Sequence, residues 1–172
     1  MGAVGDRQGN TDMFKQLFPF EFAGGPYHSF QYGPVHVTVM DAQTDYSPGS
    51  PQYQWLADDL RRATAPWKMV VHTGRHTLAQ TSAAAEAARE MLHSLCEEYG
   101  VNLVIDGSTS GYAAVRVGPV QYVGLGPAPP EGENEPHTMV FGAVQIEGPT
   151  LKLEVFDHAG DRIESVEQTL RP

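Results

Sequence analysis

Apolar residues along the chain fall into short runs separated by glycine, proline and small polar residues, and the spacing changes character near residue 112. Before that point the runs are far apart. Val35–Met40, bounded by Gly33-Pro34 and Asp41, reads as a buried strand. Thr44–Pro51 is a loop, and Ser50-Pro51 opens a helix, with serine as cap and proline at the first helical position. Tyr53, Trp55, Leu56 and Leu60 give that helix an apolar side. Trp67–Val71 predicts a second strand, His72–Gln80 a polar loop, and Ser82–Tyr99 a long alanine-rich helix that Gly100 ends. Val101–Ile105 predicts a third strand, which stops at Asp106-Gly107 and the hydroxyl row Ser108, Thr109, Ser110.

From Tyr112 onward short strands alternate with turns: Ala113–Val117, Gln121–Leu125, Thr138–Ile146, Leu151–Phe156 and Ile163–Thr169. Gly118-Pro119, Gly148-Pro149 and Ala159-Gly160-Asp161 mark hairpins. Pro127–Pro136 is an acidic, proline-rich loop, and residues 1–26 are loop-rich with one short helix at Asp12–Leu17. Helical crossovers imply parallel pairing in the first part, and hairpins imply an antiparallel meander in the second. The expected fold is a single α/β domain over 1–172, a layered α/β/β/α-type sandwich with a mixed sheet.

Composition narrows the function classes. A net charge of −10 opposes a general attraction to nucleic acid or to anionic membrane. No apolar run approaches the roughly 20 residues that span a bilayer. The first ten residues lack a signal peptide's basic and apolar regions, so a soluble protein is expected, with its compartment open. Cys96, the single cysteine, excludes an internal disulfide and reads as a small core residue beside Leu92 and Leu95.

Residues 27–60, YHSFQYGPVHVTVMDAQTDYSPGSPQYQWLADDL, carry a resemblance. They are similar to the calcineurin-like metallophosphoesterases, purple acid phosphatases in particular, whose stretches take the form YYSFDYGNVHFIVLD, a loop, and a helix beginning QYQWL. Tyr27, Ser29, Phe30, Tyr32, Gly33, Val35, His36, Asp41, Gln52, Tyr53, Trp55 and Leu56 fit that form. WKMVV (67–71), EEYGVNLVIDG (97–107) and residues 137–170 fall in the family's order. The resemblance implies the C-terminal part of that fold. It also implies a dinuclear Fe, Mn or Zn centre with oxygen and imidazole ligands, which activates water against a phosphate ester.

The ligand blocks of the resembled family are altered here. Where Gly-His-x-His is expected the chain reads Gly107-Ser108-Thr109-Ser110, so both histidine positions, Ser108 and Ser110, carry serine. Where His-His-Pro is expected it reads His72-Thr73-Gly74, and the simplest alignment puts Thr73 at the ligand position. Gly5-Asp6-Arg7-Gln8 stands for Gly-Asn-His-Glu: Asp6 retains a carboxylate, but Arg7 brings a fixed positive charge to the histidine position. The alternative alignment, Gly9-Asn10-Thr11-Asp12, keeps the asparagine and loses the histidine. The two earlier blocks have no counterpart in residues 1–172. The expectation is therefore a pseudo-phosphatase without catalytic residues or metal cofactor, acting as a structural or interaction module.

Other readings compete with that one. An active phosphoesterase would need unconventional ligands or a complementing N-terminal half. His72, His76 and Asp106 form a possible residual polar site, although zinc asks for three or four protein ligands. Gly107–Gly111 superficially matches a nucleophile elbow, but that turn needs a helix after it, and a strand is predicted. The same turn, with Arg7, Arg75 and Arg116, supports an anion-binding reading. The acidic run Glu131–Glu135 lacks the ligand alternation of a calcium loop. The resemblance also implies that Met69–Val71 and Val101–Ile105 lack strand neighbours. A sheet edge covered by a protein partner is then expected, either a second copy or a different chain, or else by residues 1–26 with Phe18, Phe20 and Phe22.

Overall fold

A computed structural model describes residues 22–41, 44–73, 83–107, 111–126 and 139–170. Its strands are built around one recurring turn. Gly33-Pro34, Gly118-Pro119 and Gly148-Pro149 each join two paired strands, and the glycines stand at φ 55°, 56° and 56°. Proline cannot take a positive φ, so these connections match the II′ class, with glycine first, rather than I′.

The first of these turns joins β1 (His28–Tyr32) to β2 (Val35–Val39), with Tyr32 opposite Val35. The apolar pattern gives β2 alone. His28, Ser29 and Gln31 break the apolar run of β1, which is held by its pairing. Helix α1 (Pro51–Arg62) begins where the sequence predicts it: Ser50 caps it, its Oγ accepting from the Tyr53 N–H at 3.2 Å, and Pro51 follows. Its buried face is Gln52, Leu56 and Leu60, at i, i+4 and i+8. The chain then enters β3 (Trp67–His72), parallel to β2.

Helix α2 (Ala83–Glu98) ends in a Schellman motif. Gly100 takes φ 69°, the Val101 N–H donates to the Cys96 carbonyl at 2.8 Å, and the Gly100 N–H donates to Glu97 at 3.3 Å. Val101 therefore belongs to the helix cap, and β4 runs over Leu103–Asp106 rather than from Val101. The side chain of Lys68 joins both helix ends to the sheet, its Nζ donating to the carbonyls of Leu60 and Tyr99 at 2.8 Å each.

The five later strands do not form one meander. The hairpin β5 (Tyr112–Val117) and β6 (Val120–Leu125) joins the first sheet, with β6 parallel to β4 and β5 outside it. The strand order there is β1-β2-β3-β4-β6-β5. Strands β7 (Val140–Glu147), β8 (Thr150–Asp157) and β9 (Arg162–Thr169) form a separate antiparallel sheet. The apolar run of β6 is buried like that of a central strand, and the run alone does not say which sheet it enters.

Two cores separate three layers. Val35, Val37, Val39, Trp67, Met69, Leu103 and Val123 meet Leu151, Leu153 and Val155 between the sheets. Met40, Val70, Val104 and Val120 meet Leu56, Leu60, Leu92, Leu95 and Cys96 under the helices. Thus β3 and β4 are covered on both faces, as parallel strands are. They also lie inside the sheet, and among the described residues its edges are β1 and β5. Among the described residues the helices pack on one sheet only, giving three layers, and no helix is long and apolar enough to cross a membrane.

Candidate functional site

Strands β2, β3, β4 and β6 run parallel, so their C-terminal ends meet at one side of the sheet. Open α/β sheets place ligands in that position. The end residues are polar and buried: Asp41 after β2, His72 on β3 and Asp106 on β4. His72 stands opposite Asp106 in register, and the Gly107 N–H extends the ladder to the His72 carbonyl at 2.9 Å. The His72 Nδ1 and the Asp106 Oδ1 are 3.9 Å apart, with side chains 9% and 6% exposed. The two side chains thus face each other, buried, across the ends of β3 and β4.

Space is tight at Gly107. A Cβ there would lie 2.7 Å from the Thr73 Cγ2. Thr73 thus packs its methyl against the β4 turn, while His72 lines the cavity at the strand ends. Tyr46, from the loop after β2, and Arg89, from α2, line the same cavity with Asp106. Burial, and next the Asp106 carboxylate, push the Tyr46 hydroxyl up to about 12, so it stays a neutral donor and acceptor at any physiological pH. The cavity is about 30 Å³, room for one or two water molecules.

A side chain of α1 anchors the loop that delivers Tyr46. Gln52 on α1 is fully buried, and its Oε1 accepts from the Asp41 N–H at 2.8 Å. Its Nε2 donates to the carbonyls of Asp41 at 2.8 Å and Thr44 at 3.0 Å. The amide therefore pairs with Asp41 as a further strand would. The Thr44 hydroxyl closes the turn on the Asp41 carboxylate at 2.5 Å.

A second polar cluster lies under the other half of α1. The Asp59 carboxylate accepts from Ser29 at 2.6 Å and Thr38 at 2.7 Å, and the His36 Nε2 lies 2.8 Å from it. Burial pushes its pKa up, but the hydrogen bonds from His36, Ser29 and Thr38 outweigh this and hold it below the ordinary carboxylate value. This cluster fastens α1 to the β1–β2 hairpin.

Of the residues singled out in the sequence, His72 and Asp106 come together and Thr73 stands beside them. Asp6, Arg7, His76, Ser108 and Ser110 lie outside the described residues, as do Arg75, the 12–17 segment and the 131–135 run. Strand β5 begins at Tyr112, where the nucleophile-elbow reading needs a helix. Tyr46 and Arg89 carry no sequence signal for this site, because a loop and a distant helix bring them in. Gln52 carries one: a polar residue at the buried i, i+4, i+8 positions of α1.

The described donors at the strand ends are one imidazole, His72, and two carboxylates, Asp41 and Asp106. The imidazole lies 3.9 Å from the Asp106 carboxylate, and among the described residues no three His, Cys, Asp or Glu side chains converge as metal ligands.

No family model matches the chain. Over 104 residues it is 34% identical to a probable purple acid phosphatase 20 of Arabidopsis thaliana, covering 55% of this chain and 24% of that one. Over 145 residues it is 28% identical to acid phosphatase A of Cryphonectria parasitica, covering 71% of this chain and 28% of that one. The chain thus spans about a quarter of the length of these curated relatives. The structure of purple acid phosphatase PPD1 from yellow lupin (Lupinus luteus) superposes with a TM-score of 0.73 at 16% identity, over 98% of this chain and 38% of that one. The chain is thus related in sequence to the purple acid phosphatases over about half its length, and over nearly all of it has the calcineurin-like metallophosphoesterase fold.

Proposed function

We propose that this chain uses the metallophosphoesterase fold without its dinuclear hydrolytic chemistry, as a protein-interaction module. The observation that carries the reading is the buried His72–Asp106 pair, 3.9 Å apart in a cavity of about 30 Å³ that Tyr46 and Arg89 also line. A two-metal hydrolase needs open coordination positions for water and for a phosphoryl oxygen. Here the strand-end imidazole faces a carboxylate 3.9 Å away. The sequence past Gly107 supports the same reading, since Ser108 and Ser110 bring neutral hydroxyls where the resembled family has imidazoles.

Hydrolysis of 4-nitrophenyl phosphate by the purified chain tests this directly, with Mn, Fe or Zn supplied across acidic and neutral pH. The expected result is a rate indistinguishable from buffer with the same metal. Turnover that a chelator abolishes would instead favour an active phosphoesterase with unconventional ligands, and turnover seen only on adding an N-terminal half would favour complementation.

A further inference from the structure

We propose that strand β5 is the self-association edge of this chain, pairing antiparallel with β5 of a second copy. The first ground is the state of the edge. Among the described residues no strand lies on its far side, and Ala114, Val115, Arg116 and Val117 are all exposed, the two valines at 43%. An edge strand presents unpaired N–H and C=O groups, and proteins blunt such edges with charge, proline or bulges. Strand β9 has those defences: Arg162, Glu164 and Glu167, with a register shift opposite Val155/Phe156. Strand β5 reads Tyr-Ala-Ala-Val-Arg-Val, has one charge, and pairs with β6 through six consecutive residues without a shift.

The second ground selects the occupant. Tyr112 packs against the core between the sheets, so Ala114 and Arg116, two and four residues on, share that face. Glu164, exposed on β9, stands opposite Val155, which is opposite Gly142, and Gly142 packs against Leu125, the β6 partner of Tyr112, so the carboxylate lies in the row that leads to Tyr112. The cation thus lies near one end of β5 and a carboxylate near the other. A two-fold axis through Ala114 sets Arg116 opposite Tyr112 of the partner subunit, beside Glu164 of the partner subunit. The same contact forms twice by symmetry. On the opposite face Val115 lies diagonal to its own copy, where apolar side chains stabilise a ladder. An antiparallel junction of identical strands is therefore complementary in charge and in apolar character.

The junction is short, below the roughly 1,200–2,000 Å² of a standard interface, so a weak, reversible dimer is expected, with Kd on the order of tens of micromolar. The inference deepens the interaction reading by naming its surface and its partner, and the two fail separately: a catalytically silent monomer sinks only the dimer, and a metal-dependent dimeric hydrolase sinks only the interaction reading.

Sedimentation equilibrium of the full chain from about 5 to about 500 µM is the test. Wild type should pass from monomer to dimer over that range. Arg116→Glu, an exposed position, should weaken the dimer at least about tenfold by setting like charges against each other. Glu164→Arg should do the same, and the double exchange Arg116→Glu with Glu164→Arg should restore association. A wild-type monomer throughout, or a dimer indifferent to Arg116→Glu, overturns the proposal.

Discussion

Replacing Asp59 by alanine should destabilise the fold by roughly 2–4 kcal/mol, because it leaves three partly buried donors facing an empty space. Ser29, His36 and Thr38 all direct their polar atoms at this one carboxylate, from 2.6 to 2.8 Å. The effect is pH-dependent with a defined sign. Folding depresses the Asp59 pKa, so its contribution is present above the unfolded value of about 3.9 and is lost as pH falls through the lower folded value. Urea midpoints measured from neutral pH down through about pH 3 should show that acid limb in wild type and a shallower one in Asp59→Asn. An Asp59→Ala protein within about 0.5 kcal/mol of wild type would mean that the cluster adds nothing to the packing of α1.

Gln52→Ala should cost a similar roughly 2–4 kcal/mol, and it should also alter the candidate site. Its three bonds satisfy the Asp41 N–H, the Asp41 carbonyl and the Thr44 carbonyl, and the side chain is fully buried. Without them the turn loses the clamp that sets Tyr46 over the strand ends. The Tyr46 hydroxyl, held at about 12, should then titrate nearer the ordinary tyrosine value of about 10. Ultraviolet titration of Gln52→Ala, with Tyr46→Phe in both backgrounds to identify the step, reads that shift. An unmoved Tyr46 titration would show that the loop is positioned by other contacts. Gln52→Glu offers a second reading. Ionised, it faces two carbonyls, so it should be less stable at neutral pH than near pH 5, where the protonated form regains one donor.

The helices were legible in the sequence because their ends are local chemistry. Ser50-Pro51 and Gly100 fix where α1 begins and α2 stops, and Leu56 with Leu60 fixes the face that α1 buries. Strand β1 was not legible, since His28, Ser29 and Gln31 interrupt any apolar run and only the ladder to β2 makes it a strand. The division of the later strands between two sheets was not legible either. Hairpin turns specify which strands are neighbours but not which sheet receives the pair. For the site, strand-end residues His72 and Asp106 could be read from the runs that precede them. Tyr46 and Arg89 could not, because their place depends on how a loop and a helix fold back. The polar anchors Gln52 and Asp59 look like ordinary helix residues until the sheet beneath them is known.

The absence of a dinuclear centre is the claim on which the functional reading depends, and metal content tests it most directly. The chain would be purified in buffer containing Mn, Fe and Zn, desalted, and analysed for each element against protein concentration. The paired His72 and Asp106, with serine at 108 and 110, predict no tightly held metal, well below one equivalent in sum. Two equivalents that survive desalting would contradict the account.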